Sequence, residues 1–378
     1  MLATDEHAGL IATFYREAWG QATTAESVLS ARRQAAAENV VAPGEAPPTA
    51  IVLEGSRVIG YCGSIPQRLW DGVAEHPAYW VKGLMVLPEY RGGPIGLLVV
   101  KELAKQLPRA TSLVVAPAAR RLFSALGWTD LGAVANFVRL LRPARAARRL
   151  DVAELGLGLP RWATAGVRVA QRTGLAGLAG VAGLALDLAA ATTRRAGAPF
   201  AAGCAVHMPT RDEVDGVWRS ARGALAAGPV RDGTYLRSRF GAETTAGDGA
   251  SYAFVTARDG ARLVGVAVVR RPKATSDPRL RGVRVATISD IVFPPERADI
   301  GLAVLHGVER TARAAGVDAI LCTTSHRTLA RLLRRQAYVR LAGNVHFLLR
   351  DTTAAARWPQ DLQSWWLARG DGESDEVF

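Results

Sequence analysis

Cysteine is scarce in this chain of 378 residues: Cys62, Cys204 and Cys322 are all there is, far apart, with no CxxC pair and no Cys/His grouping at metal-ligand spacing. A disulfide framework and a structural zinc site are thereby disfavoured, and buried free thiols in a reducing cytoplasm are expected. Histidine is nearly as sparse. His207, His306, His326 and His346 fall in different stretches, and neither a Ser/His/Asp set nor an HExxH helix can be assembled from them. No metal is expected. The N-terminal run MLATDEHAGLIATFYREAW has acids where a signal peptide needs bases and lacks a sustained apolar core, so the expectation is a cytoplasmic protein. Acidic charge is in deficit: 34 Asp and Glu against 47 Lys and Arg leave a formal +13. Such a field favours anionic partners, whether CoA phosphates, anionic lipid, acidic glycans or tRNA, without choosing among them.

What is present is a globular composition, long enough for two domains. Helical spacing runs from Asp5 to Ala37, and VAPGEAPP then punctuates the chain before the strand pair AIVLE and RVIGYCGSI. A third strand, AYWVKGLMVL, follows a turn at Asp71-Gly72. A helix over about Ile95 to Leu107, the strand SLVVAP, the helix AARRLFSALGW and the strand NFVRLLRP complete the first half. Residues 204–350 repeat this order in pattern though not in letters: DEVDGVWRSARGAL helical, a hairpin across Asp259-Gly260, the strand VRVATISDIVF, then helix, strand DAILCTT, helix RTLARLLRRQAY and strand NVHFLLR.

The segmentation predicted is a mixed α/β unit over residues 1–142, a basic and apolar helical insert over 143–200, a second mixed α/β unit over 201–350 and a Trp-rich acidic tail over 351–378. The insert contains GLAGLAGVAGLALDLAAAT, nearly long enough to span a bilayer. Asp187 and the dilution by glycine and alanine favour a hairpin packed on the protein. Arg139, Arg142, Arg145, Arg149, Arg161, Arg168 and Arg172 keep open a peripheral contact with an anionic membrane face. The tail, with Trp358, Trp365 and Trp366 ahead of Asp371, Glu373, Asp375 and Glu376, fits either a solvating segment or one docked into a basic groove through its tryptophans.

The sharpest local signal is VLPEYRGGPIGLLVVKEL, residues 86–103, where a strand ends, a glycine-rich turn follows and a helix begins. Gly92, Gly93 and Gly96 let a pyrophosphate approach backbone amides at a helix N-terminus, and Arg91 adds a cation. Val86, Pro88, Glu89, Tyr90, Arg91, Gly92, Ile95 and Gly96 resemble motif A of the GNAT (Gcn5-related N-acetyltransferase) superfamily. That resemblance implies a binding site for acetyl-CoA or another acyl-CoA at Val86, Arg91, Gly92, Gly93, Ile95, Gly96 and Leu97. Pro94 departs from the pattern: proline lacks the N–H that the family's usual glycine offers to phosphate, yet is tolerated where a helix begins.

AARRLFSALGW is similar to the family's motif B, with Phe123 where a tyrosine often protonates the departing thiolate. Lys82-Gly83 stands where a glutamate often takes the amine's proton. In the second unit the arginine-glycine run is gone and only Gly301 remains, so its phosphate site is expected to be lost; Leu333 takes the tyrosine position. Asp290, near the basic cluster Arg331, Arg334 and Arg335, is its one catalytic candidate, against the alternative that it caps or pairs with a neighbour.

The expectation is thus two tandem GNAT-like domains, an α/β fold with a mixed sheet in each, transferring an acyl group from CoA to the amine of a small molecule or glycan precursor. RDGTYLRSRF and GDGESD resemble stretches of GNAT-type proteins associated with bacterial surface polysaccharides. The alternatives are a Fem-like transferase using aminoacyl-tRNA, with nucleic acid otherwise not expected as a partner, and a catalytically silent GNAT-like binding protein.

Overall fold

Helix α1 (Ala8–Trp19) places Ala8, Ile11, Ala12 and Phe14 on one buried stripe. Helix α2 (Ala25–Ala37) starts at Thr24, whose hydroxyl accepts from the Ser27 amide while the Ser27 hydroxyl accepts from the Thr24 amide. Such reciprocal caps stabilise a helix start by about 1 kcal/mol. The computed structural model describes residues 1–114, 116–149, 165, 169, 208–241, 251–272, 282–353 and 356–372. All but the first seven residues of the predicted insert, apart from two isolated positions, lie outside these, as do Cys204, His207 and the chain beyond Gly372. The insert's packing and its membrane contact therefore lie outside the described residues. Among the described residues no helix is long and apolar enough to cross a membrane.

Two units divide the chain by contact: residues 1–132 with 346–358, and residues 133–345 with Pro359 onward. In unit 1 the strands β1 (Ala50–Glu54), β2 (Arg57–Trp70) and β3 (Glu75–Val86) form an antiparallel meander. Helix α3 (Ile95–Gln106), strand β4 (Arg109–Val114) and helix α4 (Pro117–Ala125) follow. One sheet face packs α3 and α4 through Val99, Val100, Leu103, Phe123 and Trp128. The other packs α1 and α2 through Ile11, Phe14, Val28, Ile51 and Tyr61.

Beyond β5 (Thr129–Leu140) and α5 (Pro143–Arg149), unit 2 repeats the order. Its elements are α6 (Arg211–Arg222), the two-residue β6 (Gly228–Pro229), α7 (Gly233–Phe240), β7 (Tyr252–Asp259), β8 (Arg262–Arg270), β9 (Val285–Val292), α8 (Ala298–Ala314), β10 (Ala319–Thr324), α9 (Arg327–Arg335) and β11 (Val339–Asp351). Again a meander, β7-β8-β9, continues into a parallel strand, β10. The repeated order read from the sequence is thus the order of elements in the fold, and each unit is built on a mixed sheet.

Strand partners depart from sequence order. Residues 135–140 of β5, at the end of the first sequence half, pair antiparallel with β10 in unit 2. Residues 346–351 of β11, at the end of the second, pair antiparallel with β4 in unit 1. The contact units therefore do not follow boundaries at 142 and 350, because hydrogen-bond pairing and not continuity decides where a strand belongs.

The end of β11 is fixed by charge. Arg109 donates from Nε to Asp351 Oδ2 at 2.8 Å, and the Trp358 indole donates to the same oxygen at 2.8 Å. Burial would raise the Asp351 carboxyl, but bonds from Thr353, Trp358 and Arg109 outweigh it and hold it at about 2. A depressed carboxyl contributes stability above its unfolded value and loses it as pH falls through the folded one. The stability difference between the parent and Asp351→Asn, measured by urea unfolding, is expected to be full at neutral pH and to shrink between about pH 4 and pH 2.

Candidate active site

Both units open a gap in the sheet between their parallel strands. In unit 1, β3 and β4 pair only at Tyr79–Ala110 and Trp80–Thr111, although β3 runs on to Val86. A bulge bends β3 away: Lys82 pairs with Gly63 and Met85 with Tyr61, so β3 spends one residue more than β2. Gly83 takes a left-handed φ of 61° there, which few other residues adopt cheaply. From Lys82 to Val86 the strand is half-buried, and among the described residues its register with β4 does not extend past Trp80.

At the end of that strand lies the glycine-rich turn. Leu87 is buried, Pro88–Tyr90 make one 3-10 turn, and Gly92 at φ 86° reverses the chain into α3. Pro94 is the N-cap, and its carbonyl accepts from the Leu98 amide at 2.9 Å. That leaves the amides of Ile95, Gly96 and Leu97 without an intrahelical acceptor. A proline that caps costs the loop its own donor and none of these three. Gly96 is set by packing, since a Cβ there would lie 3.1 Å from Leu122 Cδ1 and 3.8 Å from Val86 Cγ2. Ile95 anchors the turn against Gly60 of β2, where a Cβ would come within 2.7 Å of Ile95 Cγ2.

Arg91 is exposed, its Nε donating to the Val86 carbonyl at 3.0 Å and one Nη to Met85 Sδ at 3.4 Å. The guanidinium therefore lies back over the end of β3, beside the gap. Glu89 is turned away to Arg57 at 2.8 Å, and Tyr90 donates to Glu54. No acid is thus set against the turn by these two. Leu97 and Leu98, 39% and 48% exposed, give the first helical turn an apolar outer face. The structure brings Val86, Arg91, Gly92, Gly93, Ile95, Gly96 and Leu97 together in one strand-turn-helix.

Phe123, at the motif B tyrosine position, is 1% exposed and meets Trp128 edge-on at 4.7 Å between ring centroids. A hydroxyl there would be buried without a partner. Phe123→Tyr is therefore expected to lower stability by about 1–3 kcal/mol, read from denaturation curves, and to add no proton-donor function.

On the α1/α2 face a cavity of about 130 Å³ reaches from α2 to Lys82. Tyr15 of α1 donates to Tyr61 of β2 at 2.9 Å, and both phenols line it with Ser64 and Lys82. Gly63 keeps this corner open: a Cβ would stand 3.1 Å from the Tyr61 hydroxyl and 3.6 Å from Lys82 Cγ. The cavity and the glycine-rich turn share one strand, and Lys82 and Val86 lie roughly 13 Å apart along it. Sequence reasoning noted Lys82 only as the absence of a glutamate. The two tyrosines escaped it because helix and strand bring them together without any local spacing.

Unit 2 has the equivalent gap, and its own tail fills it. β9 and β10 pair from Val285 to Ile288 only. Beyond that point the Gly370 amide donates to Ser289 O at 2.6 Å and the Trp366 indole to Ile291 O at 2.9 Å. On the other side Thr324 bridges to Ala368, and Arg369 donates to Thr323 Oγ1 at 3.2 Å. Trp365 and Trp366 are fully buried, so the docked alternative for the tail holds as far as Gly372.

Asp290 takes part in this closure. It is 1% exposed and accepts from Arg231 Nε at 2.7 Å; Arg231 also donates to Asp371 at 2.8 Å and to the carbonyls of Pro229 and Trp366 at 3.0 Å each. Burial raises the Asp371 carboxyl against the pull of Arg231. Asp290 is therefore paired with a buried guanidinium, the alternative to a catalytic role that its sequence position left open. Arg331, Arg334 and Arg335 sit exposed on α9, Arg334 over the Phe137 ring at 5.9 Å, and are not the charge that Asp290 meets.

At the start of α8, Asp299 stands in the first turn, paired with Arg297 at 2.7 Å. A carboxylate there satisfies the helix end and repels phosphate. Gly301 serves packing instead, since a Cβ would lie 2.6 Å from both Leu332 and the Phe293 ring. Leu333 is fully buried. Among the described residues no cluster of three metal-binding side chains occurs.

Meander, bulge and parallel strand with its intervening helix define in each unit the fold of GCN5-related N-acetyltransferases, and the glycine-rich turn belongs to unit 1. Solved structures carry the same fold. A probable N-acyltransferase of unknown function from Enterococcus faecalis matches with a TM-score of 0.55 at 10% identity, over 96% of this chain and 73% of its own. A GCN5-related N-acetyltransferase from Kribbella flavida matches with a TM-score of 0.50 at 15% identity, over 94% and 71%. Saccharomyces cerevisiae N-myristoyltransferase with bound myristoyl-CoA matches with a TM-score of 0.51 at 10% identity, over 80% of this chain and 65% of the enzyme. No protein-family model matches the sequence, and no curated protein matches it.

Proposed function

We propose that unit 1 transfers an acyl group from CoA to a primary amine. The observation that carries this reading is the continuity of one stretch of β3, residues 82–86, beyond its register with β4, from the glycine-rich turn at one end to the cavity at the other. An extended, amide-bearing arm laid along such an edge takes the place of an added strand. The pyrophosphate would meet the amides of Gly92, Gly93, Ile95, Gly96 and Leu97 with the Arg91 cation beside them. The thioester then lies toward Lys82, and the amine enters through the cavity on the α1/α2 face.

In the reaction the amine nitrogen bonds to the thioester carbonyl carbon and the carbon–sulfur bond breaks. The proton lost by nitrogen ends on the CoA sulfur, giving an amide and free CoA. With Phe123 apolar, that proton passes through solvent or the Tyr15–Tyr61 pair, and the acceleration rests mainly on positioning. In unit 2 the tail occupies the gap and Asp299 the helix end, so that unit supports the fold without a donor of its own.

Thermal unfolding with and without acetyl-CoA and longer acyl-CoAs tests the reading, since a ligand of the native state raises the midpoint. A shift is expected, and Arg91→Ala is expected to weaken CoA affinity by about tenfold or more through loss of one charge-assisted contact. No shift with any acyl-CoA removes the donor assignment and returns attention to aminoacyl-tRNA, whose binding would weaken steeply with salt.

A further inference from the structure

We infer that the cavity of unit 1 selects an amine that also carries a carboxylate on a short aliphatic body; the inference rests on the acyl-transfer reading above and names its acceptor. The charges of the cavity are one-sided. Lys82 and Arg32 both line it and no aspartate or glutamate does. Arg32 is already matched, its Nε donating to Asp5 at 2.9 Å and one Nη to the Ala3 carbonyl at 3.3 Å. For Lys82 no hydrogen bond or ion pair joins its ammonium to any described residue. Lys82 is half-buried as a residue, and an ammonium brought against apolar walls is costly to desolvate unless an anion meets it.

The remaining lining supports the same ligand. The Tyr61 hydroxyl and Lys82 Cγ both stand beside the open corner at Gly63, so an anion there has a hydroxyl neighbour besides the ammonium, while the Ser64 hydroxyl is given to the Pro48 carbonyl at 2.7 Å and Ile11, Val28 and Ala35 form an aliphatic wall. A polycationic amine is disfavoured in this setting, because a second positive charge would face Lys82 with no acid to receive it. The volume of about 130 Å³ is well below the roughly 300–1,000 Å³ of sites for larger ligands, which limits the body to a short chain.

The experiment compares straight-chain ω-amino acids with alkylamines of equal carbon count as acceptors from acetyl-CoA, and measures binding of the corresponding amine-free carboxylic acids calorimetrically without CoA. The amino acids are expected to exceed the alkylamines in kcat/KM by about tenfold or more. Lys82→Met and Lys82→Gln should bring that ratio close to one and abolish binding of the amine-free acid, with Lys82→Arg retaining much of both. Alkylamines used as well as the amino acids would overturn the carboxylate assignment and leave acyl transfer standing. Lys82-dependent binding of the acids with no turnover of any amine would uphold the anion site and sink the transfer reading. Neither turnover nor binding would sink both.

Discussion

Arg231→Ala is expected to cost about 3–5 kcal/mol of folding stability, because it strands two buried carboxylates, Asp290 and Asp371, that now share one guanidinium. The side chains of all three are 1% exposed or less, so water cannot take over the lost bonds. Arg231 also donates to the Trp366 carbonyl, which links the charge cluster to the tail in the β9–β10 gap. The loss should therefore appear in denaturation curves together with new protease sensitivity around Arg369. An Arg231→Ala protein as stable as the parent, with its tail still protected, would show that the tail docks by its tryptophans alone.

The second large effect is expected at Gly343. A Cβ at this position would lie 1.9 Å from the Val134 carbonyl oxygen and 2.6 Å from its carbon, and a neighbouring backbone cannot rotate aside as a side chain can. Gly343→Ala should cost about 3 kcal/mol through forced separation of β11 from β5 within unit 2. Because residues 346–351 of the same strand pair with β4, hydrogen exchange should quicken at Thr111 and Leu113 of unit 1 as well. Faster exchange confined to unit 2 would mean that the two halves of β11 are held independently.

Much of this architecture is legible from local signals. Periodicity and turn residues place α1, the β1–β3 meander and α3, because each depends on neighbours within a few positions. The glycine-rich turn is legible for the same reason: Arg91 to Leu97 is one contiguous stretch whose character is backbone geometry. Pairings across long separations are not written locally. Nothing near NFVRLLRP says that its partner is β10, or near NVHFLLR that its partner is β4, since both strands read as the close of their own half. Asp290 misleads by the same mechanism, for its partner Arg231 is 59 residues away. The cavity is hidden because Tyr15 and Tyr61 are 46 residues apart and Lys82 signals only a missing acid.

The exchange of closing strands bears on how the chain is made and how it has been kept whole. Arg109 and Asp351, joined across β4 and β11, are 242 residues apart, so the sheet of unit 1 remains one strand short until that many further residues have left the ribosome. Closing so long a loop slows folding more than it weakens the product. Meanwhile β4 presents an unpaired edge, the feature on which nascent chains aggregate. A gene that dropped either repeat would leave the survivor with the same open edge. The two halves, however far their sequences drift, are therefore inherited as one.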